Sequence, residues 1–247
     1  MSGPIRGLPP PTAGKSVQTA ALCATKEGCA LKNVRMWFKK GGAAKYISHL
    51  DLTHCMGRAL KLSGLPIWYT QGFNPRIYMA YAMPLSLGVS GERECVDIRL
   101  TEEDFPLADV AGRVNPRLPD SISVWGVTEP LNKLDAIAFA DYELRLEAGD
   151  SAGLKSQIEG LFAQGPVIVM KHGKKGDKEL DIAPYFSDMA LNAGPGYLEA
   201  ALRLPCSVSG SINPSLLLDA LKSCLGLAPY AEIHRKRLLL EDFSEIA

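Results

Sequence analysis

The spacing of hydrophobic residues changes repeatedly along the chain, and each change predicts a new element of secondary structure. Residues 34–38 alternate in polarity, as a half-buried strand does. From Leu52 to Leu60 the apolar positions recur at i, i+3, i+4, i+7 and i+8, which predicts the buried face of a helix. Ser48 is the expected N-cap of this helix, and Gly64 is its expected end. Further patterns predict strands at 67–70, 95–100 and 122–128 and a helix at 105–114.

The second half of the chain repeats this order of elements. Strands are predicted at 142–148, 167–171, 197–204 and 232–240, and helices at 152–162 and 214–225. The order strand–helix–strand–strand–helix–strand is that of the ferredoxin-like unit. We therefore predict an α+β fold with two tandem ferredoxin-like (βαββαβ) domains, at 33–130 and 138–241, whose two sheets border a cleft. Residues 1–32 carry Pro, Gly, Ser and Thr without periodicity and are predicted to form a flexible N-terminal segment.

The charge of the chain is balanced, with 27 Lys and Arg residues against 27 Asp and Glu residues. A nucleic-acid partner would therefore have to be bound by a local basic patch rather than by the net charge. No apolar run approaches the ~20 residues of a membrane helix, and the N-terminus lacks the apolar core of a secretory signal. We expect a cytoplasmic protein without a membrane partner.

The six cysteines are too scattered to predict a metal site. Cys23 and Cys29 are the closest pair, but the five residues between them match no common zinc motif, so their role stays open. The other four have apolar neighbours and are predicted to be small buried residues. The sequence contains no phosphate-cradling or dinucleotide-binding glycine motif. We predict no cofactor and no metal, and we expect Glu94 and Asp97 to hydrogen-bond nearby loops rather than bind a cation.

His49 is the candidate catalytic residue. It falls in the first turn of the predicted helix, where the helix dipole disfavours a cation and keeps an imidazole neutral. A neutral imidazole is suited to act as a general base, and Lys45 is the nearby cation proposed to stabilise a phosphorane-like charge. The simpler interpretation, which the sequence favours, is that His49 packs against or hydrogen-bonds the neighbouring loop.

A basic face is predicted on the same helix, opposite its apolar face. His54, Arg58 and Lys61 follow i, i+4, i+7 spacing, and Lys39 and Lys40 lie just upstream. Together they are candidates for a phosphate-binding edge. The alternative is an ordinary solvated helix face.

The segment at 67–76 combines aromatic residues with a turn. Gly72 permits a positive φ, and Asn74 precedes a proline, which favours an extended or turn conformation. Tyr69, Phe73, Asn74 and Arg76 are candidate binding residues, and an outward aromatic ring beside Arg76 is suited to stack on nucleic-acid bases. The alternative is a packed hairpin corner that covers the sheet.

Two further basic clusters lie in the second half. The loop at 171–178 contains glycines and lysines and is interpreted either as a solvated turn or as a flexible finger that reaches an anionic backbone. In the closing strand, alternation predicts that His234 and Lys236 face one side and the two neighbouring arginines face the other. The candidate binding residues of the two clusters are Lys171, Lys174, Lys175, His234, Arg235 and Arg237.

Several segments carry a family resemblance: YISHLDL at 46–52, SGLPI at 63–67, YTQGFNP at 69–75, PLSLGVSG at 84–91, NPSLLLDAL at 213–221 and IHRKRL at 233–238. Over residues 34–240 the chain resembles the radical-SAM-linked proteins, an uncharacterised bacterial family encoded beside, or fused to, a radical S-adenosylmethionine enzyme. It departs from the family pattern at His54, where Arg is usual, and at Ile77 and Tyr78, where Pro and a basic residue are usual.

The resemblance implies a cytoplasmic accessory protein that works with a radical SAM enzyme on tRNA or rRNA. Three hypotheses follow from it and from the residues. The favoured one is a non-catalytic module that binds structured RNA and docks its partner enzyme. The second is a protein-only adaptor whose sheet edge pairs with the radical SAM enzyme. The third is a metal-independent endoribonuclease that uses His49, by analogy of fold with the CRISPR-repeat-processing endoribonucleases.

Overall fold

The computed structural model describes residues 31–171 and 176–247. The predictions that concern the segment at 1–30, including its two cysteines, lie outside the described residues. The same holds for Lys174 and Lys175.

Among its described residues, the first half contains four strands and two α-helices. They are β1 (Lys32–Lys40), α1 (His49–Leu62), β2 (Met79–Tyr81), β3 (Val89–Leu100), α2 (Ala108–Val114) and β4 (Ile122–Thr128). The N-cap prediction for α1 is confirmed, because the Ser48 hydroxyl accepts a hydrogen bond from the Asp51 N–H at 3.1 Å. The predicted apolar face is also confirmed, since Leu52, Met56, Ala59 and Leu60 are buried.

The second half contains six strands and three helices among the described residues. They are β5 (Phe139–Glu147), α3 (Ser151–Ala163), β6 (Ile168–Lys171), β7 (Lys178–Asp181), α4 (Ala183–Phe186), β8 (Ala190–Gly194), β9 (Tyr197–Pro205), α5 (Leu216–Leu225) and β10 (Ala231–Leu239). Within the described residues, no helix is long and apolar enough to span a membrane.

One mostly antiparallel sheet runs through both halves. Its strand order is β4-β1-β3-β10-β5-β9-β8, and β2 also pairs with β3. The halves join where β10 lies parallel to β3, with Ile233 opposite Val89 and Arg235 opposite Gly91. The protein therefore has the expected α+β class, but the two sheets are continuous, and the predicted cleft between separate sheets is replaced by this junction.

Two predicted strands take other roles. Residues 67–70 form only the isolated bridges Ile67–Leu100 and Tyr69–Ile77, and the strand beside β3 is β2, further along the chain. Residues 168–171 form β6, which pairs with β7 in a separate two-stranded sheet. The edge position of the main sheet belongs instead to β8, whose sequence ALNAG lacks the β-branched and aromatic residues that mark a strand.

Two hydrophobic clusters fill the space between the sheet and its helices. One packs beneath α1 and α2 and includes Met36, Phe38 and Met56. The other packs beneath α3 and α5 and takes in Trp37 and Cys95 from the first half. Two cysteine predictions are wrong: Cys224 is exposed and Cys55 is only half-buried.

Candidate functional site

The segment at 67–78 forms a hairpin with an exposed tip. The Thr70 N–H donates to the Arg76 carbonyl at 2.8 Å, and the Arg76 N–H donates to the Thr70 hydroxyl at 3.1 Å. All five residues between them are exposed, and the Phe73 side chain is fully exposed. Gly72 has a φ of 137°, which side chains rarely adopt, so the turn needs a glycine there. The hairpin therefore carries an aromatic ring away from the sheet.

The base of this hairpin is braced against β3. The Trp68 N–H donates to the Arg99 carbonyl at 2.8 Å. The Arg99 guanidinium carbon lies 4.2 Å from the centroid of the Tyr78 ring and 5.4 Å from that of Trp68. Such cation–π contacts stabilise the arrangement of both aromatic side chains. The tip is therefore exposed on a supported stem, which differs from the predicted alternative of a packed corner.

The outer face of α1 lies beside the hairpin. Gly57 faces β2 so closely that an added Cβ would be 3.2 Å from the Met79 Cε atom. Each helical residue turns the chain by about 100°, which places His54 and Lys61 immediately outward of Gly57, with Arg58 next to them. All three are exposed. The basic face of α1 and the hairpin that continues into β2 thus belong to the same edge of the molecule.

The cations at this edge are not neutralised by nearby carboxylates. No carboxylate among the described residues lies within 4.0 Å of the side-chain nitrogen atoms of His54, Arg58, Lys61 or Arg76. Exposed apolar side chains accompany them, including Leu50 on the same helix face. We call this surface, defined by His54, Arg58, Lys61, Phe73 and Arg76, the basic aromatic edge.

Lys39 and Lys40 separate. Lys39 is exposed, but Lys40 is buried and donates a hydrogen bond to the Ile47 carbonyl at 3.3 Å. Burial lowers the pKa of Lys40, and the neighbouring Glu94 charge opposes that shift. The prediction of Lys40 as an anion contact is therefore wrong, because strand alternation turns it to the same buried face as Phe38.

His49 packs against an aromatic ring. Its ring centroid is 4.9 Å from that of Tyr81 in an edge-to-face arrangement. Burial lowers the pKa of His49, and the positive charge of Lys40 lowers it further. Lys45 is engaged elsewhere, with its Nζ atom 3.4 Å from the Glu232 Oε1 atom. The neutral imidazole that catalysis requires is thus favoured, while the catalytic role itself stays a prediction.

The loop at 171–178 begins and ends in paired strands. Lys171 lies opposite Lys178, and the Lys171 ammonium donates to the Ser211 carbonyl at 2.9 Å. This two-stranded sheet packs against α5. The Lys171 ammonium is therefore engaged in a hydrogen bond within the protein, which leaves it only partly available to an external anion.

The closing strand does not alternate as predicted. A bulge shifts the register between Arg235, which lies opposite Tyr142, and Arg237, which lies opposite Asp141. As a result Arg235 is buried, while Arg237 is exposed and donates to Asp141 at 2.7 Å. A bulge adds one residue to a strand and so reverses the faces beyond it, which the sequence pattern alone did not reveal.

His234 and Arg235 are both held by β3. The His234 Nδ1 atom is 2.5 Å from the Ser90 hydroxyl. The Arg235 guanidinium binds both carboxylate oxygens of Glu94, at 2.9 and 2.5 Å, and donates to the Met83 carbonyl. The prediction that Arg235 contacts a partner is therefore wrong, because its charge is neutralised inside the protein.

A second arginine–carboxylate pair lies one strand away. Arg35 donates to Asp97 at 2.7 and 2.9 Å, and also to the carbonyls of Asn132 and Ala247 at 2.8 and 2.7 Å. Sequence analysis did not single out Arg35. An arginine within an apolar strand, with a carboxylate on another strand, was the sequence signal from which this buried pair could have been predicted.

A small cavity of about 70 Å³ adjoins Arg235. Its lining includes Tyr142 and Cys206, together with residues from the segments at 84–86 and 211–214. Three of the segments that carry the family resemblance, PLSLGVSG, NPSLLLDAL and IHRKRL, thus meet at this point. Burial raises the pKa of the Tyr142 hydroxyl to about 12 and also raises that of the Cys206 thiol. Both groups stay protonated at neutral pH, so the cavity contains no activated nucleophile among these residues.

In the part of the chain that the structure describes, no group of three His, Cys, Asp or Glu side chains is arranged to hold a metal ion. The fold and the basic aromatic edge define a mixed α+β protein that exposes cations and an aromatic ring at one edge. The chain belongs to a bacterial family described as an uncharacterized protein conserved in bacteria (DUF2344), whose profile matches residues 33–214.

Comparison with other proteins adds little to this assignment. No curated protein matches the chain. Among solved structures, it is similar to a candidate glycine cleavage system transcriptional repressor, with 12% identity over 83% of this chain and 98% of that one, at a TM-score of 0.23. At that score the similarity supports no conclusion about fold or function.

Proposed function

We propose that this protein is an accessory RNA-binding and partner-docking protein that works with a radical SAM enzyme in the modification or processing of tRNA or rRNA. The basic aromatic edge is the observation that supports this most directly. Its cations are exposed and lack carboxylate partners among the described residues, so their charge is available to an external anion. The protein as a whole is neutral, which makes a local cluster of free cations the feature that selects an anionic partner.

The chemistry of the edge suits RNA with unpaired bases. Arg58, Lys61 and Arg76 supply donors for phosphates, and such contacts orient a nucleic acid without reading its sequence. Phe73 supplies a ring on which an unstacked base can stack. Loops and single-stranded ends of structured RNA offer both groups together.

The family resemblance supports the choice of a radical SAM enzyme as partner. The strand orders β4-β1-β3-β2 and β10-β5-β9-β8 support the further proposal that each half is a ferredoxin-like unit. In that interpretation β6, β7 and α4 form an insertion between α3 and β8. Co-purification of the radical SAM enzyme from a native lysate, with and without ribonuclease, tests the partnership.

Fluorescence anisotropy with labelled tRNA and with a single-stranded RNA tests the RNA-binding proposal. We expect the double variant Arg58→Glu, Lys61→Glu to weaken binding by about tenfold or more, and to reduce the dependence of affinity on salt. The control is Lys222→Glu, which reverses an exposed charge on α5 in the second half. Equal affinity of the double variant and the wild type at low salt contradicts the proposal, provided that circular dichroism shows both to be folded.

The second candidate function is a metal-independent endoribonuclease, and the lowered pKa of His49 is the observation in its favour. Chelator-treated protein is incubated with RNA, and the wild type is compared with His49→Ala. Cleavage by the wild type that the substitution abolishes would establish this function. If neither protein cleaves RNA, the accessory role is favoured.

A further inference from the structure

The two terminal strands of the main sheet differ in how their outer edges are covered. At β4, the Asn115 side chain donates to the Val124 carbonyl and accepts from the Val124 N–H, both at 2.8 Å. The amide thereby occupies the two main-chain groups that another strand would use. Natural sheets often block their edges in this way, because open edges pair with other chains.

The outer edge of β8 has no such cover among the described residues. Its residues are Ala, Leu, Asn, Ala and Gly, so neither a charge nor a proline protects it. Gly194 and Tyr197 flank the hairpin turn and form its first hydrogen-bonded pair. From there along β8 and β9, hydrogen-bonded pairs alternate with pairs that are not hydrogen-bonded. The N–H and C=O groups of Leu191 and Ala193 consequently point away from β9.

We propose that β8 pairs in antiparallel register with β8 of a second copy of this chain. In this register Leu191 of each copy exchanges hydrogen bonds with Ala193 of the other, and a two-fold axis passes beside Asn192. The Asn192 side chain then faces its own copy. An amide both donates and accepts, so it is complementary to itself, whereas a charged residue at that position would repel its copy.

The helix beside this edge is compatible with close approach of two copies. α3 covers β8, and the Ser151 hydroxyl donates to the Gly194 carbonyl at 2.7 Å. Gly153 and Gln157 face the opposite flank of α3, toward Leu227. The flank toward β8 therefore carries Lys155, Glu159 and Phe162, next to Ser151, at helical spacing, and Lys155 and Glu159 form an ion pair at 3.7 Å. The two charged side chains on this flank neutralise each other, so no unpaired charge there would repel a second copy.

Self-pairing through β8 is independent of the proposed RNA-binding function. The strand order places β8 at one end of the sheet, with β9, β5 and β10 between it and β3, which bears β2 and the hairpin. Each copy in the dimer therefore keeps its own basic aromatic edge exposed. A dimer would present two such edges to RNA.

Sedimentation velocity between about 1 µM and about 100 µM measures the association. We expect a concentration-dependent dimer for the wild type. Asn192→Asp should weaken association about threefold to tenfold, because two carboxylates then face each other. Asn74→Asp, which adds the same charge on the exposed hairpin tip, is the matched control and should leave association unchanged. Ala193→Pro removes an outward N–H from each copy and should abolish dimerisation while the circular dichroism spectrum is retained.

A cysteine pair tests the register. Asn192→Cys should form an intermolecular disulfide readily, because the two-fold axis places it opposite its own copy. Ala190→Cys should crosslink far more slowly, since it lies opposite Gly194 of the second copy, and the wild type with its exposed Cys224 sets the background. A monomer at every concentration, or equal crosslinking by the two variants, would overturn the proposal.

Discussion

The cations of this protein fall into two groups with different surroundings. On the sheet of the second half, Arg203 and Arg237 share the carboxylate of Asp141, at 2.8 and 2.7 Å. At the basic aromatic edge of the first half, Arg58 and Arg76 have no carboxylate partner among the described residues. A net charge of zero therefore conceals cations of two kinds, some neutralised by carboxylates and others without a carboxylate partner among the described residues.

This difference separates cations that hold the fold from cations that are free to bind. Arg235 belongs to β10 and its partner Glu94 to β3, so their ion pair crosses the junction between the halves. Removing one member of such a pair leaves a buried charge without compensation. Removing the exposed Arg58 leaves no buried charge without a partner. Substitutions in the two groups should accordingly change different properties.

The largest effect is expected at the junction. Glu94→Gln leaves the buried Arg235 charge without its carboxylate, and we expect it to lower the free energy of unfolding by about 3–5 kcal/mol. Urea unfolding followed by circular dichroism measures the loss. The control is Glu92→Gln on the same strand. Its ion pair with Lys236 is part-exposed, and its loss should cost about 1 kcal/mol or less. Similar losses for the two variants would show that burial does not decide how much an ion pair contributes to stability.

These predictions rest on contacts that sequence patterns reveal unevenly. The helix α1 was predictable because its cap and its buried face are both local patterns. The buried state of Lys40 was also accessible, since it follows from alternation along β1. The strand β8 was not, because ALNAG contains no strand-favouring residues and is held in place by β9.

The exposure of the candidate site residues was also predictable only in part. The cation spacing on α1 predicted an exposed basic face. The bulge before Arg237, by contrast, is fixed by pairing with β5, so the sequence pattern assigned Arg235 and Arg237 to one face. Pairing between distant strands decides which charges are neutralised, and no local pattern encodes it.

The second prediction concerns the basic aromatic edge. Phe73→Ala should weaken RNA binding by about 1–3 kcal/mol, the contribution of one base stacked on an aromatic ring. Because the ring is fully exposed, the free energy of unfolding should not change. Val208→Ala, which shortens another exposed apolar side chain, is the control for nonspecific effects. An unchanged RNA affinity in Phe73→Ala would remove the hairpin tip from the binding surface.

The third prediction concerns Asp141, the carboxylate that Arg203 and Arg237 share. Burial alone would raise the pKa of Asp141, but hydrogen bonds from Arg203 and Arg237 outweigh it and hold the pKa below its ordinary value. The stability from this carboxylate is thus present above the ordinary carboxyl pKa and is lost as the pH falls through the lower folded value. Asp141→Asn should cost about 1 kcal/mol near neutral pH and less in acid. Asp188→Asn, which removes an exposed carboxylate, is the control for the loss of one negative charge.

The smallest effect is expected at His49, which lies between the two groups, close to the buried Lys40 and on the helix that bears the free cations. Burial first, and then the charge of Lys40, lowers the pKa of His49 below its ordinary value of 6.5. As the pH falls below that value, the unfolded chain binds a proton that the folded protein does not. The stability contributed by the neutral imidazole is therefore complete above the ordinary pKa and is lost as the pH falls toward the folded one.

His49→Gln removes this titration and keeps a polar side chain of similar reach. Between about pH 7 and about pH 5 the wild type should lose about 0.5 kcal/mol or less of unfolding free energy beyond what the variant loses. His54→Gln, on the exposed face of the same helix, makes the same substitution while keeping His49 and is the control. If His49→Gln and the wild type lose stability in parallel, the imidazole is not held neutral by its surroundings. In that case neither the packing on Tyr81 nor the proximity of Lys40 can be used to argue that His49 is prepared to act as a base.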